Sequence, residues 1–434
     1  MRTVKSFEIS SGMVFRDHLL QWSQQFYEAV WLESNAHTNP YSSFDAVLAV
    51  DALTLIQTDS TGAFEDLKVY QKETKDWIFG YLTYDLKNDV ENLSSRNQDR
   101  LLFPELFFFQ PKKVIKIIGK TVEFHYLNMV ADELEEDFNT IIEGISGYAP
   151  ITPTTDIRIK MRIFRDEYFK GAHEMLDHIH RGDIYEANFC QEFYAEDTQI
   201  DPLRTYNSLN AISKAPFATF LKLNDKYLIS ASPERYLKKQ GNKIISQPIK
   251  GTAKRSDDIE EDEDLRNRLK DDPKERAENI MIVDLVRNDL SKSALKGTVE
   301  IEELCEVYSY DQVHQMVSTV VAEVEAGKNP VDIIKETFPM GSMTGAPKIS
   351  AMQLIEKMEA FKRGLYSGAV GYFTPDNDFD FNVVIRSILY NASMRYVSYA
   401  VGSALTAKAS PEAEYEECLL KAKAMREVLE KSNH

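Results

Sequence analysis

SGAVGYF (367–373), TPDNDFD (374–380), FNVVIRSILY (381–390), NASM (391–394) and RYVSYA (395–400) run consecutively. Aromatic and β-branched residues fill Ser367–Phe373, Phe381–Tyr390 and Arg395–Ala400. The segments between them hold Pro, Asp, Asn and Ser, which favour turns. Strand follows strand here with no helix between, so this region predicts antiparallel sheet. Working outward, Pro411–Lys431 predicts a final helix, with Ser410 as cap and Pro411 as first residue. Further strands are expected at Trp77–Tyr84, Val114–Phe124 (turning at Gly119), Asn188–Tyr194, Ala218–Leu223 and Lys226–Ser230. Tyr236–Ile245 reads as a hairpin turning at Gly241-Asn242. Helices are expected at Phe15–Glu33, Asp132–Gly144, Arg165–Arg181, Pro273–Asp289, Val331–Glu336 and Ile349–Ala360. Long strands and helices mix without βαβ alternation, so the fold class is α+β with antiparallel sheets.

Gly147–Thr155, with Pro150 and Pro153, reads as a linker. It separates an N-terminal region, 1–150, from a region at 160–430. No repeat of solenoid length is present. The 434 residues are 43% hydrophobic, enough for a large core. Net charge is −18, from 69 acidic and 51 basic residues, and no basic stripe marks a nucleic-acid surface. The longest greasy patch, Leu106–Phe109, is far short of a membrane helix, and the N-terminus lacks a signal peptide's apolar stretch. Cys190, Cys305 and Cys418 are too few and too scattered for a disulfide framework or zinc site. A reducing cytoplasm is therefore expected.

Four segments carry candidate chemistry. Glu275 and Glu278 stand three apart on one predicted helix, and Glu414 and Glu417 repeat the spacing on the last, with Lys421 a turn beyond. Each pair alone reads as a solvated face. Two pairs converging would suit a hard cation such as magnesium, which takes oxygen ligands and keeps several waters. Gly341–Lys348 is a glycine-rich turn leading into a helix, a place where backbone amides can meet an anion. It lacks the ending of a phosphate-binding Walker loop. Arg386, inside an apolar strand, needs a carboxylate partner from protein or ligand. His314 alone reads as a satisfied core histidine, and the charged run Ser256–Lys274 as a solvated face.

Taken in order, GDIYEAN (182–188), SPER (232–235), PIKGT (248–252), ERAE (275–278), VDLVRNDL (283–290), His314, Gly341–Lys348, Tyr366, Arg386 and Glu414–Lys421 resemble the chorismate-utilising enzyme family. The blocks span about Ile163 to Val428. WLES (31–34) and GYLTYDL (80–86) resemble weaker N-terminal blocks of its aminating subgroup. The resemblance implies two packed antiparallel β-sheets with outer helices and the site between them. The N-terminal region would then contribute strands to the same unit, with a tryptophan pocket near Leu32-Glu33-Ser34. It also implies roles. Glu278 and Glu417 resemble direct magnesium ligands, and Glu275 and Glu414 their partners holding metal-bound water. Tyr366 and Arg386 resemble the clamp on the pyruvyl carboxylate. Ser342 matches a hydroxyl near the substrate, and Lys421 a lysine near the ring carboxylate. Gly402, Ser403 and Ala404 match a loop whose amides meet that carboxylate. Glu234 resembles the acid that protonates a leaving hydroxyl, and His314 a polar group at the ring.

Lys250 discriminates the branch. The family's aminodeoxychorismate-forming members resemble Pro-Ile-Lys-Gly-Thr here, whereas the anthranilate-forming members carry alanine in the lysine's place. A lysine acting as free amine gives covalent catalysis, which divides one displacement into two. Its pKa, ordinarily ~10.4, must then fall through burial or a neighbouring cation. Glu186 departs from the glutamine usual in the aminating members and cannot imitate the lysine of the isochorismate-forming branch. The cysteines do not sit in the nucleophile turn of a glutamine amidotransferase, so ammonia is expected from a separate glutaminase subunit. The expected reaction converts chorismate and ammonia to 4-amino-4-deoxychorismate. An anthranilate-forming enzyme and a non-catalytic ligand-binding protein are the alternatives.

Overall fold

Strands Ala46–Thr58 and Leu106–Ile118 pair antiparallel along their whole length, and this ribbon is shared by two sheets. The computed structural model describes residues 1–37, 40–144, 157–311 and 313–431. The expected linker at Gly147–Thr155 lies outside the described residues. A register shift between Ala52 and Thr54, next to Asp51 in the left-handed region (φ 62°), bends the ribbon.

On one side of the bend the sheet runs Arg2–Glu8, Thr121–Leu127, the ribbon, Glu28–Glu33, Phe217–Leu223, Lys226–Ser232, Ser387–Asn391, Tyr396–Thr406 and Glu186–Ala195. On the other side it continues through Ile78–Leu82, Ala369–Phe373, Phe379–Val383, Arg235–Gln240, Lys243–Gln247 and Val313–Glu323. Ile249–Lys254 and Glu300–Ser309 flank that last strand. The fold is α+β with antiparallel sheets, and N-terminal strands pair directly with later ones.

Strand Glu28–Glu33 shows how both faces are filled. Ala29 and Trp31 pack into a core with the helices, while Val30 and Leu32 join the second core. This corrects the helix expected over Phe15–Glu33. The helix is Gly12–Ser23 and a strand follows. An apolar run buried on both faces carries no period that separates strand from helix. The strand expected over Phe381–Tyr390 is also two, Phe379–Val383 and Ser387–Asn391. The chain turns between them from one sheet into the other. Its partner does the same between Lys226–Ser232 and Arg235–Gln240, so Glu234 and Arg386 both stand at this corner. Val383 N–H donates to the Glu234 carbonyl at 3.1 Å, and Ala231 N–H to the Arg386 carbonyl at 3.1 Å.

The glycine-rich turn is pinned from behind. Arg363 is buried, donates to both oxygens of Glu359, and also reaches the carbonyls of Met343 (2.6 Å) and Asn188 (2.8 Å). One guanidinium thus ties the turn to strand Glu186–Ala195. We expect Arg363→Met to lower unfolding stability by ~3–5 kcal/mol, because it strands the buried Glu359 charge. Arg363→Met/Glu359→Met should recover part of the loss in denaturant titrations.

Candidate active site

Helix Pro273–Ser291 starts from Asp272, whose side chain accepts from the Lys274 and Glu275 amides. Helix Pro411–Lys431 starts at Pro411. Their first turns meet. Lys274 Nζ lies 3.7 Å from Glu278 on its own helix and 3.4 Å from Glu414 on the other. Glu417 pairs with Lys421, whose Nζ also donates to the Gly402 carbonyl at 2.9 Å. Burial, then Glu278, raises the Glu275 pKa; burial, then Glu417, raises that of Glu414. Burial also pushes Glu417 up, but Lys421, Lys250 and Lys274 together outweigh it and the net shift is downward. These carboxylates crowd one another with too little positive charge among them.

Lys250 faces the same space from strand Ile249–Lys254. Its amine is 3.7 Å from Glu186 Oε1, and the other Glu186 oxygen is buried without a hydrogen-bond partner. Gly251 lets the strand approach. It sits at φ 90°, and a Cβ there would lie 3.1 Å from Glu275 Oε2 and 3.2 Å from Leu269 Cδ1. The expected fall in the Lys250 pKa is not what this arrangement gives. Burial lowers it, but Glu186, Glu278, Glu417 and Glu234 together outweigh burial and raise it.

At the corner between the sheets, burial pushes the Glu234 carboxyl up to about 7, against the hydroxyl of Ser342 and the charges of Lys250 and Lys421. Ser342 Oγ is buried beside it without a hydrogen bond of good geometry. Arg386, also at the corner, takes a left-handed backbone (φ 52°). Burial pulls its guanidinium below the usual range, with Tyr366 and then Glu417 opposing. Among the described residues its guanidinium has no ion pair. Tyr366 is buried and its hydroxyl donates to Cys190 Sγ at 3.7 Å. A cavity of about 210 Å3 opens here, lined by Arg386, Lys421, Gln315, Pro233, Tyr310 and Met425 among others.

The residues 27–427 match the family described as chorismate binding enzyme. The chain belongs to that family. A probable chloroplastic aminodeoxychorismate synthase from Oryza sativa subsp. japonica is 40% identical over 70% of this chain. The match spans about a third of that protein's length, 34%. Anthranilate synthase component 1 of Thermus thermophilus is 33% identical over 81% of this chain and 77% of its own. The crystal structure of anthranilate synthase component I from Streptococcus pneumoniae superposes with a TM-score of 0.75. It covers 90% of this chain and 94% of that one at 24% identity, which shows the fold.

The chain holds most of the site residues expected of this family around one space, with three departures from the sequence reading. Gly402, Ser403 and Ala404 are not in a loop but inside strand Tyr396–Thr406, opposite Cys190, Phe189 and Asn188. Pairing to Ser387–Asn391 ends at Tyr399, so beyond it the strand's outer edge is open. The Gly402 carbonyl meets Lys421 on that edge. Alternation puts the Gly402 and Ala404 amides on the same side, where an anion can reach them. The glycine-rich turn is likewise not a plain helix-start cradle. Gly345 and Ala346 pair with Ala187 and Glu186, and Lys348 is drawn inward by Asp289 at 2.6 Å. His314 has both ring nitrogens engaged, with Ser309 at 2.9 Å and Asp262 at 3.0 Å, and makes no contact with the glutamate cluster. Sequence reasoning missed Lys274, although it stands one turn before Glu278.

Glu275, Glu278, Glu414 and Glu417 have the donor chemistry for a divalent cation, and Lys274 and Lys421 neutralise only part of their crowded charge. Among the described residues no three acidic, histidine or cysteine side chains converge as a finished metal cluster. Beside Leu32, Glu33 and Ser34 lies a separate pocket, lined also by Arg235, Asp380 and Asn382. The Ser34 hydroxyl and Asn382 amide nitrogen near it lack hydrogen-bond partners. Among the described residues no helix is long and apolar enough to cross a membrane.

The unpaired Arg386 gives a signature that separates substrate binding from structure. Arg386→Met should raise the thermal midpoint by about 1–2 °C, since an unpartnered, half-buried charge is removed. The same change should weaken chorismate binding by about 30-fold or more in calorimetry.

Proposed function

We propose that this chain is the chorismate-binding component of an aminodeoxychorismate synthase. It replaces the ring C4 hydroxyl of chorismate with an amino group, using ammonia from a separate glutamine amidotransferase subunit. The observation that carries this reading is Lys250, a largely buried amine aimed among Glu186, Glu234, Glu278 and Glu417.

Lys250 would act as nucleophile. As the ammonium it pairs with Glu186, the nearest acceptor for the proton it must give up. Glu278 and Glu417, supported by Glu275 and Glu414, would hold magnesium, which supplies Lewis-acid withdrawal of charge from the ring carboxylate. Two of the carboxylates that hold Lys250 protonated are thereby offset when it must be an amine. The amine attacks ring C2, the double bonds shift, and the C4 hydroxyl leaves as water with a proton from Glu234. Ammonia then adds at C4, the double bonds shift back, and Lys250 leaves C2. The incoming nitrogen returns one proton to Glu234. Overall chorismate plus ammonia gives 4-amino-4-deoxychorismate plus water. Arg386 and Tyr366 hold the pyruvyl carboxylate; Lys421 and the open edge at Gly402–Ala404 hold the ring carboxylate.

The need for a partner rests on the cysteines. All three are buried, and burial pushes the thiols of Cys190 and Cys418 up. A poor thiolate shielded from solvent is no glutaminase nucleophile. An anthranilate-forming enzyme is the second reading, favoured by the Thermus thermophilus relative and opposed by Lys250.

Incubation with chorismate, magnesium and ammonium should give aminodeoxychorismate by mass. Lys250→Ala should abolish it or divert the product to anthranilate. Fluorescent anthranilate from the unaltered chain would sink the reading, and turnover with glutamine alone would remove the partner. The Glu234 acid must be protonated to act, so kcat should fall as pH rises through about 7. Glu234→Gln should remove that limb and lower kcat by roughly 100-fold or more.

A further inference from the structure

Among the described residues, Gln315 is the one buried polar side chain of the large cavity that the reaction above leaves unused. It lies on strand Val313–Glu323, opposite Thr252 on one neighbour and Tyr308 on the other. Its residue is 5% exposed, and its Oε1 is buried without a hydrogen-bond partner. It lines the 210 Å3 cavity together with Arg386 and Lys421.

Neighbouring strand residues point to opposite faces. His314 faces away, where Ser309 and Asp262 occupy both its nitrogens. Gln315 therefore faces the cleft. Leaving an amide oxygen buried and unpaired costs ~1–3 kcal/mol, so the arrangement is incomplete without a donor from a ligand. Chorismate offers few polar groups. Its two carboxylates are anionic, carry no donor near neutral pH, and find cations in Arg386 and Lys421. Its remaining donor is the ring hydroxyl, which suits a neutral amide.

We propose that the Gln315 side-chain amide accepts a hydrogen bond from the ring hydroxyl of chorismate and so selects the hydroxylated ring in this cleft. Gln315, not His314, is then the polar side chain that this strand presents to the ring. The inference rests on the reading of the cleft given above, but not on which product is made.

The test is a binding cycle on the full chain with magnesium present. Chorismate and an analogue lacking the ring hydroxyl are titrated calorimetrically into the unaltered protein and into Gln315→Met, which keeps length but cannot accept the bond. Chorismate should bind the variant about tenfold more weakly, while the analogue binds both proteins equally. A ratio of the two losses of five or more supports the assignment. A smaller ratio, whether from equal losses or no loss, overturns it. If Gln315→Met fails to fold, Gln315→Ala supplies the same cycle. Product identity by mass is read separately, so failure of the aminating reaction leaves this measurement intact.

Discussion

The organising constraint is confined negative charge. Six glutamates, Glu186, Glu234, Glu275, Glu278, Glu414 and Glu417, stand around three lysines, with Glu186, Glu234 and Glu414 buried, Lys250 largely so, and Lys274 and Lys421 nearer the solvent. Desolvation disfavours the buried charges, so each buried carboxylate must find a cation, a hydrogen bond or a proton. The outcomes differ by position. Glu417 gets Lys421 and stays ionised more readily than usual, whereas Glu234 gets weaker help and is pushed up to about 7. The divergence of two nearby acids is a way to run acid and electrostatic chemistry side by side.

The fold creates this confinement at the corner where paired strands leave one sheet for the other. A continuous antiparallel ladder would satisfy its own backbone and leave little room for a ligand. The break at Pro233-Glu234 on one strand and Val384–Arg386 on its partner opens the ladder where the acid and the unpaired guanidinium stand. Helices Pro273–Ser291 and Pro411–Lys431 then cover the opening from different sheets. The Arg363–Glu359 pair keeps the floor in place by holding the turn that carries Ser342.

Much of this was legible from sequence. The Glu-x-x-Glu spacings, the prolines at 273 and 411 and the turn chemistry at Gly119 and Gly241 are local, and the structure places the elements close to where they predict. The helix expected over Phe15–Glu33 failed because a segment buried on both faces is apolar without a diagnostic period. The strand expected over Phe381–Tyr390 failed because no residue type announces a corner; Arg386 takes its left-handed backbone without a glycine. The resemblance alone placed Gly402–Ala404 in a loop; they lie in a strand, where the glycine serves a close approach to Cys190 and Asn188.

The sequence by itself determined the residue types, their order and the local helices that present them, because caps, periodicity and turn residues act over a few positions. Only the tertiary structure decided which charges face which. The state of Lys250 depends on carboxylates drawn from residues 186, 234, 278 and 417, and the roles of His314 and Gln315 on which face of one strand looks into the cleft. Electrostatic interaction and desolvation are set by distance and burial in space, and separation along the chain carries almost none of that information.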